Sequence, residues 1–546
     1  RLPRTGWLRP RSIGALSSGV RRPRGGGLRR KWPRFGTAAR LALTVFLVYV
    51  AHFASNVVRE TYLAITLGEH LSVRVDEYMG LHPDLFQIPG RGAYINNNPG
   101  ASMLGAIPYA VARPALAMLF RARPDLISPK PAASYNDPRP NRTKFLNASR
   151  ERGLDVKLGL AAAITQAGLM APLGALAAVV LFWFLRARLG DERQALWFAL
   201  LYAFGTPIFF RSAFLNQNAI VAHCTLIAFV LLASPWSSPD RQPGTMWPPS
   251  NRALAGAGAM LGVALLCDYS GASLIVAFGF WVLARGWRRA GAVAGVRDVA
   301  WLAAGALGPV LLLLWYQWAA FGNPFFPAQR YMGATQYSGR GWNGISLPGG
   351  SLLWGNLFDL RYGLFAFCPM LLAAFAAPFI ERRTRVVSSA ELALIFVACA
   401  ALWVFSSANQ YAFLQWNTGV RYMVPAAPLL FVALVPVLVR CGPLLRYLLV
   451  VPTVVVSWSV AMVREDVPTS LMHILLGGFE LPFLTVLRKT ASAGYAPFLA
   501  TTGVSPLPIF LLLGVTIWLI WRRHSVDSSS HAGAFRYADA TIDDRP

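Results

Sequence analysis

Acidic residues are scarce in this chain, 24 Asp+Glu against 51 Lys+Arg in 546 residues, so their positions are informative. Asp76 and Glu77 stand together in Ser72-Val73-Arg74-Val75-Asp76-Glu77-Tyr78. A carboxylate at a water–membrane boundary can take a proton from a hydroxyl or hold a divalent cation against a phosphate. Arg74 beside the pair can meet a phosphate oxygen. In an arbitrary protein an Asp-Glu pair usually does no more than solvate a loop, so its place in the chain decides between the two readings. His82 follows six residues after Asp76 and could join a metal or acceptor site, whereas His223 on an apolar run reads as a hydrogen-bonded core residue. The cysteines Cys224, Cys267, Cys368, Cys399 and Cys441 lie in or beside apolar runs with no C-x-x-C, and read as small core residues. P-loop, nucleophile-elbow and HExxH patterns do not occur.

The elements that must position these residues follow from composition. With 55% hydrophobic and 14% charged residues, the chain lacks the surface that a soluble protein of this length needs. The net charge of +27 would suit nucleic acid, but most basic residues flank apolar runs, which is the pattern of a polytopic membrane protein. A crossing needs about 20 mostly apolar residues. On that measure about twelve spans are expected, near 41–58, 158–185, 194–210, 219–235, 253–268, 272–285, 299–319, 361–380, 391–408, 423–439, 446–463 and 508–521. The expected fold class is therefore an all-α polytopic membrane protein.

Residues 1–40 hold twelve Lys/Arg and no Asp or Glu, so the N-terminus is expected in the cytoplasm and the first apolar run to be an uncleaved helix. Alternation then gathers Arg186, Arg188 and Arg193, then Arg285, Arg288, Arg289 and Arg297, on the same side. Arg382, Arg383 and Arg385, Arg440 and Arg446, and Arg522 and Arg523 join them there. The chain divides into a basic tail (1–40), a membrane domain (41–521) and a second cytoplasmic tail (522–546). Four segments face outward, 60–157 being the longest, with about 320–360, 409–422 and 464–507. Within the first, Ala101–Phe120 is apolar but broken by Pro108 and Pro114, and is expected as helices lying along the membrane surface. Asn141-Arg142-Thr143 and Asn147-Ala148-Ser149 match glycosylation acceptors, which matter only in a eukaryotic secretory pathway; the Ala/Arg/Gly-rich composition looks bacterial. The cations on outward segments are Arg74, Arg330, Arg361 and Arg421. A cation near lipid is costly unless it meets an anion, so Arg361 and Arg421, each at a helix mouth, are the stronger candidates; the competing reading is a snorkelling anchor.

An inward N-terminus, one helix, then a long outer loop with an acidic pair near its start resembles the GT-C superfamily of membrane glycosyltransferases, which includes protein O-mannosyltransferases and aminoarabinose transferases. Asn96-Asn97-Asn98-Pro99-Gly100 is similar to the family's Pro-rich element, and residues 181–233 resemble its next helix pairs. Phe321-Gly322-Asn323-Pro324-Phe325, Arg361-Tyr362-Gly363-Leu364-Phe365 and Gly419-Val420-Arg421-Tyr422-Met423-Val424-Pro425 also look like elements of bacterial members. Two departures stand out: Asn97-Asn98-Pro99-Gly100 where members often carry a Lys before paired prolines, and Asp268-Tyr269 in an outer turn where many carry another Lys. The resemblance implies sugar transfer from a polyprenyl-phosphate donor to a lipid, glycan or protein acceptor on the outer face of a bacterial inner membrane. Asp76 is then expected as base or ligand of a divalent metal, Glu77 as its support, and Arg361, Arg421, Arg74 and Arg330 as donor-phosphate contacts. The alternative is a secondary transporter or lipid flippase, which typically shows internal repeats and mid-membrane charges; neither is evident here.

Overall fold

A computed structural model describes residues 36–132, 140–233, 249–333, 335–337, 339–384, 386–417, 419–492, 498–499 and 503–522. The expected tails 1–40 and 522–546 lie outside these residues except at their inner edges, as does the Asn141 side chain. Helix α1 (Thr37–Ala51) is apolar and ends before His52. Helix α2 (Arg59–His70) buries every residue from Arg59 to Thr66, so its two leading charges point into the protein. A 3₁₀ turn (Asp76–Tyr78) and an antiparallel hairpin of β1 (Leu85–Ile88) and β2 (Gly92–Ile95) follow, in the register Leu85 to Ile95.

Helix α3 (Gly100–Ala122) is continuous through Pro108 and Pro114, so the expected break into short helices is corrected. Pro108 packs where a Cβ on Gly168 would stand, in a π-helical turn (Gln166–Met170) that accommodates the ring. Helix α3 runs parallel to α2, with Gly105 against Ala64 and Gly68 against Tyr109. Helix α4 (Pro140–Glu151) carries Asn147 and Ser149, and α5 (Asp155–Thr165) leads through the π turn into α6 (Ala171–Leu189). The segment from α2 to α5 has its own apolar cluster, in which Tyr62, Tyr78, Phe86 and Tyr94 meet Tyr316 and Phe321.

The bundle continues with α7 (Glu192–Gly205), α8 (Ile208–Arg211), α9 (Gln217–Ala233), α10 (Asn251–Cys267) and α11 (Ser270–Phe321). Helix α11 turns back at Ala290–Gly291, where Gly291 takes φ +82°, and so supplies both limbs expected at 272–285 and 299–319. Next come α12 (Gly350–Phe358), α13 (Leu364–Phe367), a 3₁₀ stretch (Pro369–Ala376), α14 (Ala377–Thr384) and α15 (Ser389–Ala408). The last helices are α16 (Ala427–Arg440), α17 (Pro443–Val463), α18 (Val467–Gly477), α19 (Pro482–Ser492) and α20 (Leu507–Trp521). Helices α9 and α16 are apolar on every side and nearly wholly buried, as helices at the centre of a bundle must be. Helix α20 buries no residue and leans on α1, where Trp521 donates to Thr44. Such a surface suits lipid tails and not water.

Among the described residues, five helical stretches are long and apolar enough to cross a membrane: α3, α5 through α6, α11, α15 and α17. The pair α18–α19, bent by 73°, would be a sixth if counted as one span, and α1, α9, α10, α16 and α20 are among the shorter apolar helices. The bundle has two chemically distinct ends. At one, Thr37 bonds Glu192, Arg188 forms a bidentate pair with Glu391, Arg285 reaches Leu232 O, and Arg289 pairs with Asp298. The other end carries α2, the hairpin and the starts of α3, α9 and α16.

Candidate functional site

Where α1 gives way to α2, the chain places Arg59 and Glu60 inside the protein, 8% and 2% exposed. Two neighbouring charges that deep must be paired. Arg59 Nε lies 3.1 Å from Glu60 Oε1, and its Nη1 contacts Asp84 Oδ2. Asn97 Nδ2 also donates to Glu60 Oε1, at 2.7 Å. Burial alone would lower the pKa of Arg59, but Glu60 and Asp84 outweigh it and hold the guanidinium more firmly charged than usual. Burial likewise works against the Asp84 carboxylate, yet Arg59, His82 and Arg421 bring its pKa down to about 2. Burial pushes the His82 pKa down; Asp84 opposes the shift, while Arg59 and Arg421 reinforce it. The backbone N–H of Asp84 donates to His82 Nδ1 at 3.1 Å, so the neutral ring carries its proton on Nε2.

Arg421 acts on this centre, and Arg211 and Arg464 act on one another beside Phe214. Arg421, held by its backbone N–H to Gln415 Oε1 at 3.1 Å and stacked 5.0 Å from the Tyr422 ring, acts electrostatically on Asp84, His82 and Arg211. Arg211 ends α8, is 1% exposed, and shares the Phe214 ring with Arg464. Arg464 caps α17 in the left-handed region (φ 67°, ψ 37°), a conformation that costs a non-glycine residue about 1 kcal/mol. In return its guanidinium reaches Phe210 O. Burial, then Arg464 and Arg421, push the Arg211 pKa below its ordinary value. An arginine does not give up its proton, so Arg211 stays charged there.

The expected site residues take other places. Asp76 Oδ2 accepts from Arg74 Nε at 2.8 Å, and its Oδ1 accepts the Ala93 N–H at 2.6 Å, latching the 3₁₀ turn to β2. Glu77 lies 3.5 Å from Lys157, which also meets Glu69 at 3.0 Å. Arg361 is exposed and doubly bonded to Asp359. Arg330 is exposed at the end of a 3₁₀ turn (Ala328–Arg330). Among the described residues no hydrogen bond or ion pair joins Asp76 or Glu77 to Arg361 or Arg421. Arg421 acts electrostatically on Asp84 instead. No group of three or more His, Cys, Asp or Glu among the described residues is arranged to hold a metal; the cation between Glu60 and Asp84 is Arg59. The sequence reading passed over Arg59, Glu60, Asp84, Arg211 and Arg464. The available signal was the charged pair directly after the first apolar run, followed by the largely apolar Tyr62-Leu63-Ala64-Ile65.

Two outcomes follow. Asp76→Asn keeps the shape of the latch but weakens a charge-assisted pair, so stability should fall by about 1 kcal/mol and turnover by less than tenfold. Thermal unfolding and an activity assay on the purified variant check this; a loss of a hundredfold or more would return Asp76 to the reaction itself. The second outcome concerns acid. His82 has a lowered folded pKa, so the stability tied to its neutral form is present above about pH 6.5 and declines below it. Asp84, also lowered, contributes above about pH 3.9 and loses that contribution between there and about pH 2. A pH series of unfolding midpoints should therefore fall as pH drops through both ranges, and His82→Gln should reduce the earlier loss.

Two crystal structures of ArnT from Cupriavidus metallidurans, one bound to undecaprenyl phosphate and one in the apo state, are similar to this chain at 14% identity. The matches cover 88% of this chain and 75% and 74% of those chains, with TM-scores of 0.47 and 0.44. No family model and no curated protein matches it.

Proposed function

We propose that this protein is a membrane glycosyltransferase that moves a sugar from a polyprenyl-phosphate donor to a hydroxyl acceptor on the membrane face opposite its basic end. The observation that carries the reading is the buried Glu60–Arg59–Asp84 centre with Arg421 and, behind it, Arg211 and Arg464. A carboxylate beside crowded guanidiniums is what a displacement at a sugar–phosphate bond needs: a base for the nucleophile and positive charge for the leaving group. The family likeness of the sequence supports the same reading.

In this mechanism the acceptor hydroxyl gives its proton to Glu60 as its oxygen bonds to the anomeric carbon. The carbon–oxygen bond to phosphate breaks, and its electron pair stays on the phosphate oxygen. The phosphate thereby passes from one negative charge to two, and Arg421, with Arg211 and Arg464, stabilises the added charge more strongly in the transition state than in the bound donor. Arg59 keeps Glu60 and Asp84 from repelling one another, and the neutral His82 presents an Nε2–H donor. Asp76 and Glu77 organise the outer loop. The basic end faces the cytoplasm, in keeping with the positive-inside bias.

The test is purified protein in vesicles supplied with polyprenyl-phosphate hexose or pentose donors carrying a radiolabelled sugar. Label should pass from the donor to an acceptor or to water. Movement of intact donor between leaflets without loss of its sugar would instead establish the flippase alternative.

A further inference from the structure

The linker between β2 and α3 is built more tightly than a loop requires. Gln329 Nε2 donates to Asn96 O at 2.8 Å, and Asn98 Nδ2 donates to Leu265 O at 2.8 Å. Gly100 lies so near α10 that a Cβ there would stand 2.7 Å from the Cys267 amide nitrogen. Asn96 and Asn98 thus fix the backbone from two sides, and Pro99 starts the helix. The residue between them turns its side chain to the acidic centre, where Asn97 Nδ2 meets Glu60 Oε1 at 2.7 Å.

Arg59 Nε reaches that same oxygen at 3.1 Å. Among the described residues, the hydrogen bonds to Glu60 all end on Oε1. Donors on one oxygen draw negative charge toward it and occupy its lone pairs, so Oε2 is left as the atom able to receive a proton. We infer that Asn97 is a positioning residue: held rigid by its neighbours, it fixes the Glu60 carboxylate so that Oε2 takes the acceptor's proton. The inference rests on the proposed role of Glu60 and adds to it the group that orients the base.

The experiment is the pH dependence of kcat/KM for wild type, Asn97→Ala, Asn97→Asp and Glu60→Gln, with the same phosphate-linked donor. A hydrogen bond to the charged form of a carboxylate favours that form, so removing it should move the acidic limb of the profile to higher pH. Asn97→Ala should show this displacement of the acidic limb. Asn97→Asp, which preserves shape but brings a second negative charge, should shift it further. A residue that merely filled space would lower the rate at every pH alike. Limbs that stay in place in both Asn97 variants, with Glu60→Gln inactive, would overturn the inference and leave the role of Glu60 standing. A fully active Glu60→Gln would overturn both. If Asn97→Ala does not fold, the near-isosteric Asn97→Asp decides the matter alone.

Discussion

Glu60→Gln should reduce sugar transfer by about 10² to 10⁴, the usual cost of losing a positioned general base, while the protein still folds and inserts. Removing one member of a buried ion pair often destabilises strongly because it strands the other charge. Here Arg59 keeps Asp84 as a partner, and a glutamine oxygen can still accept from Asn97 and Arg59. The thermal midpoint should therefore move far less than the activity. Glu60→Asp, which retains the charge but withdraws it by one methylene, should fall between wild type and Glu60→Gln. Turnover of all three with the same donor, alongside their unfolding curves, checks the order.

Arg421→Gln should lower kcat by about 10² to 10³, the scale of losing one preorganised group that stabilises a developing anion. The side chain is half-buried at the edge of the centre, so its loss leaves no cavity in the bundle. Arg421→Lys restores the charge without the planar fork and should recover part of the rate. Single-turnover kinetics separate the chemical step from donor binding: the deficit should appear mainly in the chemical step, because the second negative charge exists only as the bond breaks. Equal losses in binding and no change in the chemical step would place Arg421 outside the reaction.

The sequence carried most of the architecture because lipid leaves a chain few choices. The expected run 391–408 falls within α15, a helix long and apolar enough to cross a membrane. Pro108 and Pro114 misled, because the local rule that proline breaks a helix was overridden by a π turn across from one of them. The site was only partly legible. Arg421 was singled out, but its carboxylate partners were not, because the pairing of Arg59 with Asp84 spans 25 residues, across α2 and the 3₁₀ turn. The exposed pair Asp76–Glu77 drew attention as adjacent acids, whereas Glu60 is buried. Burial separates the two cases, and burial is what one sequence does not display. Arg211 and Arg464 were hidden for the same reason: each looks like an interfacial anchor until the fold turns both toward Phe214.

The most direct test follows the phosphorus. Protein reconstituted with polyprenyl-phosphate hexose or pentose donors and a hydroxyl acceptor can be watched by phosphorus NMR, which distinguishes a phosphodiester from a phosphomonoester. Wild type should convert the diester signal to monoester as the sugar leaves, and Glu60→Gln should leave the diester essentially intact over the same period. A diester that persists with wild type across both sugar classes, or that disappears as fast with Glu60→Gln, would contradict a transferase centred on Glu60.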